Sequence, residues 1–352
     1  MMFASDNWAL VAPEITEALT KALADGSARP AYGDDPLTAR AADRFNDIFE
    51  RDVTVFFVPT GGAANCLALS VMTPPYGMIV CHEAAHVEMD ECSGPEFFTG
   101  GAKLLTVPGA LGKLTPEGVT AALDGRPDHP PHSSPATAMT LTQATEAGTL
   151  YTQNEIEALC ETAKNRGLRA HMDGARFANA IVGLNATPAD ITWRAGVDVL
   201  SFGGTKNGCL MAEAVIFFDK DAAADFEFRR KRAGHLVSKQ SFIGAQFDVY
   251  LKNDLWLQLA NRANAAARVL SAGVADLPGA KVWWPTEANE VFASFPPGVA
   301  DKLRAEGAQF YPWMTPSDPS AGTMQRLIAS FQTRDAEISS FLARARAIID
   351  AG

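Results

Sequence analysis

The chain has 352 residues, 47% of them hydrophobic, and its 41 acidic against 30 basic residues give a formal net charge of −11. This composition suits a globular protein with a sizeable core, and the length allows two or three domains. The acidic balance and the lack of a long basic block argue against a nucleic-acid or anionic-membrane surface, so we expect a small-molecule partner.

The first predicted element is an N-terminal segment, residues 1–30, which we expect to pack with a smaller domain formed by the end of the chain. Its opening residues lack the basic and apolar regions of a targeting signal. No run in the sequence approaches the length needed to span a bilayer. We therefore predict a cytoplasmic protein with no membrane partner.

Seven short apolar runs follow between residues 31 and 252, separated by stretches compatible with helices. Their hydrophobicity is continuous rather than alternating, which predicts strands buried on both faces and hence a mostly parallel sheet covered by helices. We expect residues 31–252 to form one large α/β domain on a seven-stranded sheet. The seven runs are Val53–Val58, Met78–Cys81, Lys103–Val107, Ala138–Thr142, Leu168–Met172, Val197–Leu200 and Ala214–Phe218.

The clearest helical period between these runs covers Glu155 to Arg166. Its apolar residues recur on one face, and Gly167 provides a stop signal. The residues predicted to face the sheet are Ile156, Leu159, Cys160 and Ala163.

The pattern changes after about Lys252, and residues 253–352 read as a smaller α+β domain. The stretch Pro296 to Ala321, rich in Pro, Gly and Ser, predicts loops around a short helix near Asp301–Glu306. The other predicted elements are a helix over Asp254–Ala275 and strands near Val282–Trp284, Val291–Phe295 and Arg326–Ala329.

A glycine-rich turn, Thr60 to Asn65, follows the first apolar run and opens a helical stretch. Such a turn points free backbone N–H groups and the positive end of a helix at an anion, so a phosphate would fit there. A Gly-Gly turn between a strand and a helix is also common packing. The motif alone does not decide between these interpretations.

The run that ends at His171–Arg176 places an aspartate and an arginine at a strand end. A carboxylate such as Asp173, held against a pyridine nitrogen, keeps that ring protonated and makes it an electron sink, as in pyridoxal phosphate enzymes. The alternative interpretation is an ion pair between Asp173 and Arg176 that only stabilises the fold.

Lys206 lies in a turn of small residues directly after another buried run. Strand ends of α/β sheets bind ligands, and small neighbours would let a bulky group reach the lysine amine. The chemistry this suggests is a Schiff base. A solvated lysine in a glycine-rich turn is the alternative. The order of glycine loop, aspartate and lysine is the layout of aspartate-aminotransferase-type pyridoxal phosphate enzymes.

With these motifs in place, the sequence resembles the threonine aldolase family, in particular its low-specificity bacterial branch, over nearly the whole chain. The matching segments are Ser5–Asn7, Tyr32–Asp35, the glycine loop, Cys81–His86, Leu141–Glu146, His171–Arg176 and Phe202–Asn207. The resemblance implies an aspartate-aminotransferase-like α/β fold of type I, pyridoxal 5'-phosphate as cofactor, and a homotetramer, a dimer of dimers with shared active sites.

The family also implies roles for the residues that match its cofactor site. Lys206 stands at the Schiff-base position, and Asp173 stands where a carboxylate pairs with the ring nitrogen. His86 matches the histidine that stacks on the ring, and Arg176 matches an arginine near the ring's 3-oxygen. The residues that match the phosphate loop are Gly61, Gly62 and Ala63.

Five further positions match groups around the substrate or the neighbouring subunit. Ser5 and Arg326 match groups that hold the substrate carboxylate. His132 aligns with the family's second active-site histidine. Tyr32, as a substrate contact, and Lys231, as a cofactor contact, are expected at or near the site of the adjacent subunit.

The remaining histidines and the cysteines have simpler interpretations. His82, His129 and His235 are expected to be surface or structural residues, and His86 would be structural if it only filled a corner between a strand and a helix. No carboxylate-spaced histidine cluster indicates a transition-metal site. The five cysteines are scattered without a Cys-x-x-Cys pair, so neither a disulfide framework nor a thiolate zinc site is expected.

The function implied is retro-aldol cleavage of L-threonine, L-allo-threonine and related β-hydroxy-α-amino acids to glycine and an aldehyde. His86 or His132 would take the β-hydroxyl proton, since imidazole titrates near neutrality. A phenylserine-type aldolase, a β-eliminating lyase or an amino-acid racemase would keep the same cofactor and favour another bond. A non-catalytic protein that only binds the cofactor is the alternative from another class.

Overall fold

The computed structural model describes residues 1–313 and 323–351. In these residues lie eleven β-strands and thirteen α-helices. The strands are β1 Thr54–Val58, β2 Met78–His82, β3 Lys103–Val107, β4 Ala136–Thr142, β5 Arg169–Gly174, β6 Val199–Gly203, β7 Glu213–Phe217, β8 Lys281–Val282, β9 Glu290–Ser294, β10 Tyr311–Pro312 and β11 Gln325–Ile328. The helices are α1 Pro13–Ala24, α2 Pro36–Phe49, α3 Gly61–Met72, α4 His86–Met89, α5 Gly94–Thr99, α6 Pro116–Asp124, α7 Gln153–Asn165, α8 Phe177–Leu184, α9 Phe226–Arg232, α10 Ser241–Tyr250, α11 Leu255–Ala275, α12 Val299–Ala305 and α13 Asp335–Asp350.

The larger sheet has seven strands in the order β1-β7-β6-β5-β4-β2-β3. All of them run parallel except β7, which pairs antiparallel with both of its neighbours. The seven predicted runs are these seven strands, and the mostly parallel sheet predicted from their continuous hydrophobicity is confirmed.

Helices cover both faces of this sheet, and the strands β2, β6 and β7 are buried at every position. Neighbouring residues of one strand enter different cores: Val199 packs in a core with α3, and Leu200 packs in the core on the other face with α2 and α10. Successive side chains of a strand point to opposite faces, so a strand buried on both sides has no polar face.

The helix α7 forms as its period predicts. The side chain of Thr152 caps the backbone N–H of Glu155, and the Glu155 carboxylate accepts from the Thr152 N–H in return. This reciprocal capping box satisfies two donors that a helix start would otherwise leave free. The residues it buries are the predicted Ile156, Leu159, Cys160 and Ala163.

The smaller sheet has four antiparallel strands in the order β10-β11-β9-β8. It packs against α11, α12 and α13 around a second apolar core. The long helix and the three strands predicted here are present, although β8 ends at Val282 and leaves Trp283 and Trp284 outside the strand. Helix α13 was not among the predicted elements, and residues 314–321 of the predicted loop lie outside the described residues.

The N-terminal segment divides between the two sheets. Phe3 is fully buried in the core of the smaller sheet, and its backbone bonds to Gln309 and Ile328 at 2.8 Å each. Ile15 of α1 lies instead in the core of the larger sheet with α10. The first residues therefore pack with the smaller sheet, and α1 packs with the larger one. No helix in residues 1–313 and 323–351 has the length and apolar composition to cross a membrane.

Candidate active site

A cavity of about 380 Å³ lies where β1, β5 and β6 end and β7 begins. Parallel strands present their carboxyl ends at one edge of a sheet, so residues distant in sequence meet there. The cavity brings together five of the predicted site residues, Gly61, Gly62, His86, Asp173 and Lys206. Its other lining residues are Asn7, Pro59, Thr60, Asn65, Glu91, Ala175, Thr205, Met211 and Glu213.

Lys206 reaches the cavity from a short 3₁₀ turn that follows β6. The turn is fixed beneath the lysine, because the Asn207 amide donates to the Tyr250 hydroxyl at 2.7 Å and to the Trp256 carbonyl at 2.8 Å. Gly204 packs so closely that a Cβ there would lie 2.6 Å from the carbonyl oxygen of Ala212. A small residue is therefore required beside the lysine, and the lysine side chain is partly buried where it lines the cavity.

The glycine loop forms the N-terminus of α3. The Thr60 hydroxyl caps this helix by accepting from the Ala63 N–H at 3.3 Å. A Cβ on Gly61 would meet no heavy atom within 4 Å, whereas one on Gly62 would lie 2.7 Å from a carboxylate oxygen of Glu91. The first-turn N–H groups lack intrahelical acceptors and carry the positive end of the helix dipole. This geometry can hold a phosphate.

Asp173 lies at the end of β5 with 3% of its surface exposed. One carboxylate oxygen accepts from the Asn65 amide at 2.8 Å, and the other accepts from the Ala175 N–H at 3.0 Å. The side-chain oxygen of Asn65 is buried and has no partner among the described residues. These bonds hold the carboxylate in one orientation at the cavity wall.

His86 is the first residue of α4, and its ring Nδ1 lies 2.9 Å from an oxygen of Glu91. The same oxygen accepts from the Asn65 amide at 3.1 Å, so Glu91 connects the histidine to the pair of Asn65 and Asp173. The hydrogen bond to Glu91 raises the pKa of His86 above its ordinary value, although burial acts in the opposite direction. Because Nδ1 is engaged, Nε2 is the ring nitrogen available to the cavity.

The Glu146 carboxylate holds the backbone of His86. It accepts from the His86 backbone N–H at 2.8 Å and from the Thr142 hydroxyl at 3.0 Å. Burial, reinforced by the nearby Asp173, raises the pKa of Glu146 to about 7. This carboxyl lies behind the histidine and does not line the cavity.

Arg176 does not pair with Asp173, so the predicted alternative of a structural ion pair between them is wrong. Its guanidinium bonds both oxygens of Asp6, at 2.7 and 3.1 Å, and lies 3.5 Å from Glu290. Burial would lower the pKa of Arg176, but the carboxylates of Asp6 and Glu290 outweigh it and raise the pKa. Bidentate geometry of this kind fixes the guanidinium plane.

Arg326 lies on β11, with its guanidinium carbon 4.2 Å from the ring centre of Trp313. Its Nε is buried and has no partner among the described residues. Burial lowers the pKa of Arg326, against the influence of Glu290. An arginine with an unused N–H donor can donate it to an anionic group. The Ser5 hydroxyl accepts from the Asn7 N–H at 3.1 Å and caps the turn that brings Asn7 to the cavity.

Among the predicted site residues that do not line this cavity, three are exposed at the surface of their own chain. His132 is exposed in the loop before β4, at the amino end of the strand, and its ring stacks on His129 with 5.1 Å between centroids. Tyr32 is 47% exposed, and the Lys231 ammonium lies 4.8 Å from its ring centre. Because the cavity is at the carboxyl ends of the strands, His132 could serve such a site only in another subunit.

Sequence reasoning missed four polar residues that organise the site, Asp6, Asn65, Glu91 and Glu213. Asn65 carried a usable signal, because it and Ser70 are the polar residues of a helix α3 that is otherwise apolar. Asp6 lay inside a matched segment without being assigned a role. Glu91 and Glu213 carried no local signal, since their contacts come from other elements.

The other histidines are structural or exposed. The His82 ring accepts from the Ala84 N–H at 3.0 Å and lies 2.9 Å from the carbonyl oxygen of Gly109. His171 is fully buried between the hydroxyls of Thr140 and Ser201, and burial lowers its pKa to about 4. Neither ring faces the cavity.

The seven-stranded sheet, the smaller antiparallel sheet and this arrangement of lysine, aspartate and glycine loop define an aspartate-aminotransferase-like α/β protein of fold type I. Comparisons with known proteins agree. The family model described as beta-eliminating lyase matches residues 2–295. A low specificity L-threonine aldolase of Pseudomonas sp. (strain NCIMB 10558) is 45% identical over 99% of this chain and 98% of its own.

Two further relatives extend this likeness. A low specificity L-threonine aldolase of Pseudomonas aeruginosa is 47% identical over 88% of both chains. The structure of the threonine aldolase from Leishmania major is 27% identical, covers 99% of both chains and superposes with a TM-score of 0.91. The chain belongs to the family of beta-eliminating lyases and threonine aldolases.

Proposed function

We propose that this protein is a pyridoxal-phosphate-dependent aldolase that cleaves L-threonine, L-allo-threonine and related β-hydroxy-α-amino acids to glycine and an aldehyde. The observation that carries this function is the cavity in which Lys206, Asp173, His86 and the N-terminus of α3 meet. The likeness to low specificity L-threonine aldolases over nearly the whole chain supports the reaction.

The residues present fit pyridoxal phosphate. Gly61 leaves open space in front of the helix N-terminus, where a phosphate would accept from backbone N–H groups. Lys206 offers a primary amine to the cofactor aldehyde, and the buried, oriented carboxylate of Asp173 offers a partner to a pyridinium nitrogen. The ring of His86 lines the same cavity, as a stacking residue would. When bound, the cofactor supplies an electron sink for the charge released at Cα.

Proton transfer at the β-hydroxyl falls to His86 in this proposal. Its Nδ1 is held by Glu91, so a neutral ring presents the unprotonated Nε2 to the cavity and can accept the hydroxyl proton there. The raised pKa of His86 makes it a stronger base than a free imidazole. His132 remains a second candidate only through a neighbouring subunit.

In this proposal, residues near the smaller sheet orient the substrate. Arg326 has an unused Nε donor, which suits a bidentate bond to the substrate carboxylate. Ser5 holds the adjoining turn and could share that carboxylate. Arg176, held by Asp6 and Glu290, would present a fixed positive charge near the cofactor ring.

The test is product analysis with the purified holoprotein on L-threonine, L-allo-threonine, phenylserine and serine. We expect glycine and acetaldehyde from both threonine isomers. Pyruvate or ammonia from serine would instead indicate a β-eliminating lyase. Inversion of configuration at Cα would indicate a racemase, and cleavage of phenylserine alone would indicate a phenylserine-type aldolase. Bound cofactor with no turnover on any of the four would leave a non-catalytic binding protein.

We also propose a homotetramer that shares active sites between paired subunits. The outward position of Tyr32 and Lys231 supports this, since both are free to contact a neighbour. Exposed aromatic side chains at Phe97 and Phe228 add apolar surface near α5 and α9. Light scattering after gel filtration measures the subunit number. A cytoplasmic location stays a prediction from the sequence.

A further inference from the structure

Glu213 is a buried carboxyl at the entrance of β7 that neither the sequence motifs nor the proposed reaction uses. In the sheet register it lies opposite Val58 of β1 on one side and opposite Gly203 of β6 on the other. The glycine loop follows Val58, and the turn that carries Lys206 follows Gly203. Glu213 therefore lies between the phosphate loop and the lysine, and it lines the same cavity.

The surroundings of Glu213 leave its charge poorly compensated. One carboxylate oxygen accepts from the Gly204 N–H at 3.1 Å, and the Thr205 side chain bonds the same carboxylate. No basic side chain lies within ion-pair distance of Glu213 among the described residues. Burial raises the pKa of Glu213 to about 7, although these bonds and the more distant Lys206 act to lower it. The group can thus change protonation near neutral pH.

We propose that Glu213 takes up one proton from solvent when the cofactor phosphate enters the cavity, and releases it when the phosphate leaves. This inference rests on the proposed function, because it requires a phosphorylated cofactor. A carboxylate and a phosphate dianion in one buried cavity repel each other strongly. Protonation of one carboxylate oxygen removes that repulsion, and it leaves the bond from Gly204 intact because the second oxygen still accepts.

The other titratable groups around Glu213 do not replace it in this role. Cys209 in the adjoining turn and Tyr250 of α10 are fully buried, and burial raises the pKa of both well above their ordinary values, so they stay neutral. The side facing β1 is the apolar Val58. Lys206, Asp173, His86 and Glu91 also line the cavity, and proton uptake by any of them would persist in Glu213→Gln.

The experiment measures protons bound per ligand by calorimetry at pH 7.5, in two buffers of different ionisation enthalpy and free of phosphate. The ligand is pyridoxamine 5'-phosphate, which cannot form a bond with Lys206 because it has no aldehyde. Its unphosphorylated counterpart, pyridoxamine, is the matched ligand. We expect the protein to take up between about half and one proton more when it binds pyridoxamine 5'-phosphate than when it binds pyridoxamine.

The variant Glu213→Gln keeps the size and the hydrogen-bond acceptor for Gly204 and removes the titration. It should bind pyridoxamine 5'-phosphate without the extra proton. Between pH 7 and 8.5 the wild-type dissociation constant should rise by up to about tenfold relative to that of Glu213→Gln. Glu146→Gln is the matched control, because Glu146 is also buried with a pKa raised to about 7 but does not line the cavity. The Glu146→Gln protein should still take up the extra proton when it binds pyridoxamine 5'-phosphate.

The outcomes separate this inference from the function on which it rests. If the wild-type protein takes up the same number of protons with both ligands, the inference is overturned. This measurement needs no variant, so it stands even if Glu213→Gln does not fold. Loss of the extra proton in Glu146→Gln, or its retention in Glu213→Gln, also overturns it. If the wild-type protein binds neither pyridoxamine 5'-phosphate nor pyridoxal phosphate at any pH, the proposed function fails as well.

Discussion

The inner and outer parts of the site are built in different ways. Lys206 and Asp173 form the inner part: Lys206 lies in the turn after β6, Asp173 lies near the end of β5, and bonds within the same chain hold the turn and the carboxylate. Tyr32 and Lys231 were predicted for the site of the adjacent subunit and His132 as a second active-site histidine; all three lie at the surface away from the cavity and form the outer part. A parallel sheet delivers residues to one edge by its own geometry, whereas surface loops depend on assembly to reach a site.

Replacing the lysine tests the inner part most severely. Lys206→Ala should lower kcat/KM for L-threonine by about 10³-fold or more, because no other lysine is among the described residues that line the cavity. The absorbance band of the lysine-bound cofactor should disappear from the spectrum. Lys302→Ala, on the exposed face of α12, should change neither measurement. Substantial threonine cleavage by Lys206→Ala would remove the lysine from the mechanism.

Removing the charge of Asp173 should lower activity nearly as much as removing Lys206. Asp173→Asn keeps the size of the side chain but removes the charge, so kcat/KM should fall by about 10² to 10³-fold. Cofactor binding should weaken less, because Lys206 and the helix N-terminus remain. Asp219→Asn, at a surface position after β7, is the control. A holoprotein of Asp173→Asn with wild-type rates would show that the ring nitrogen needs no negative partner here.

Mixed subunits test whether the outer part comes from a neighbour. Lys206→Ala and Lys231→Ala chains, refolded together in equal amounts, should recover about a quarter of wild-type activity if each site takes Lys231 from its partner. The same mixture with His132→Ala in place of Lys231→Ala tests the histidine. Mixing Lys206→Ala with Asp173→Asn should recover nothing, because both residues serve one chain's cavity. No recovery in the first mixture would contradict shared sites.

The smallest change concerns the connection between the two carboxylates and the histidine. Glu91→Gln removes the charge that raises the pKa of His86, so that pKa should fall. A base must be unprotonated to act, and activity is lost as the pH falls through its pKa; the acid limb of kcat/KM should therefore move to lower pH. At neutral pH the rate should change by less than about tenfold. Glu88→Gln, exposed on the same helix, should leave the profile unchanged, and an unshifted profile in Glu91→Gln would exclude His86 as the titrating base.

The fold was predictable because its strands carry their own signal. Continuous apolar runs can be satisfied only between two helical layers, so seven of them predict a covered, mostly parallel sheet. Helix α7 was equally clear, since its capping and apolar period agree. Helix α13 and the division of the N-terminal segment were missed, because their packing partners are far away in sequence.

The chain by itself determined the chemical groups of the inner site, because a glycine loop, an aspartate and a lysine follow one another at predicted strand ends, and their order, rather than any one motif, predicts the chemistry. Only the tertiary structure decided their partners. Arg176 pairs with Asp6 rather than Asp173, Glu91 links His86 to Asn65, and His132 lies at the opposite edge of the sheet. The reason is physical: the direction of a strand sets the edge at which a residue emerges, and contacts between side chains depend on the packing of elements that local sequence does not encode.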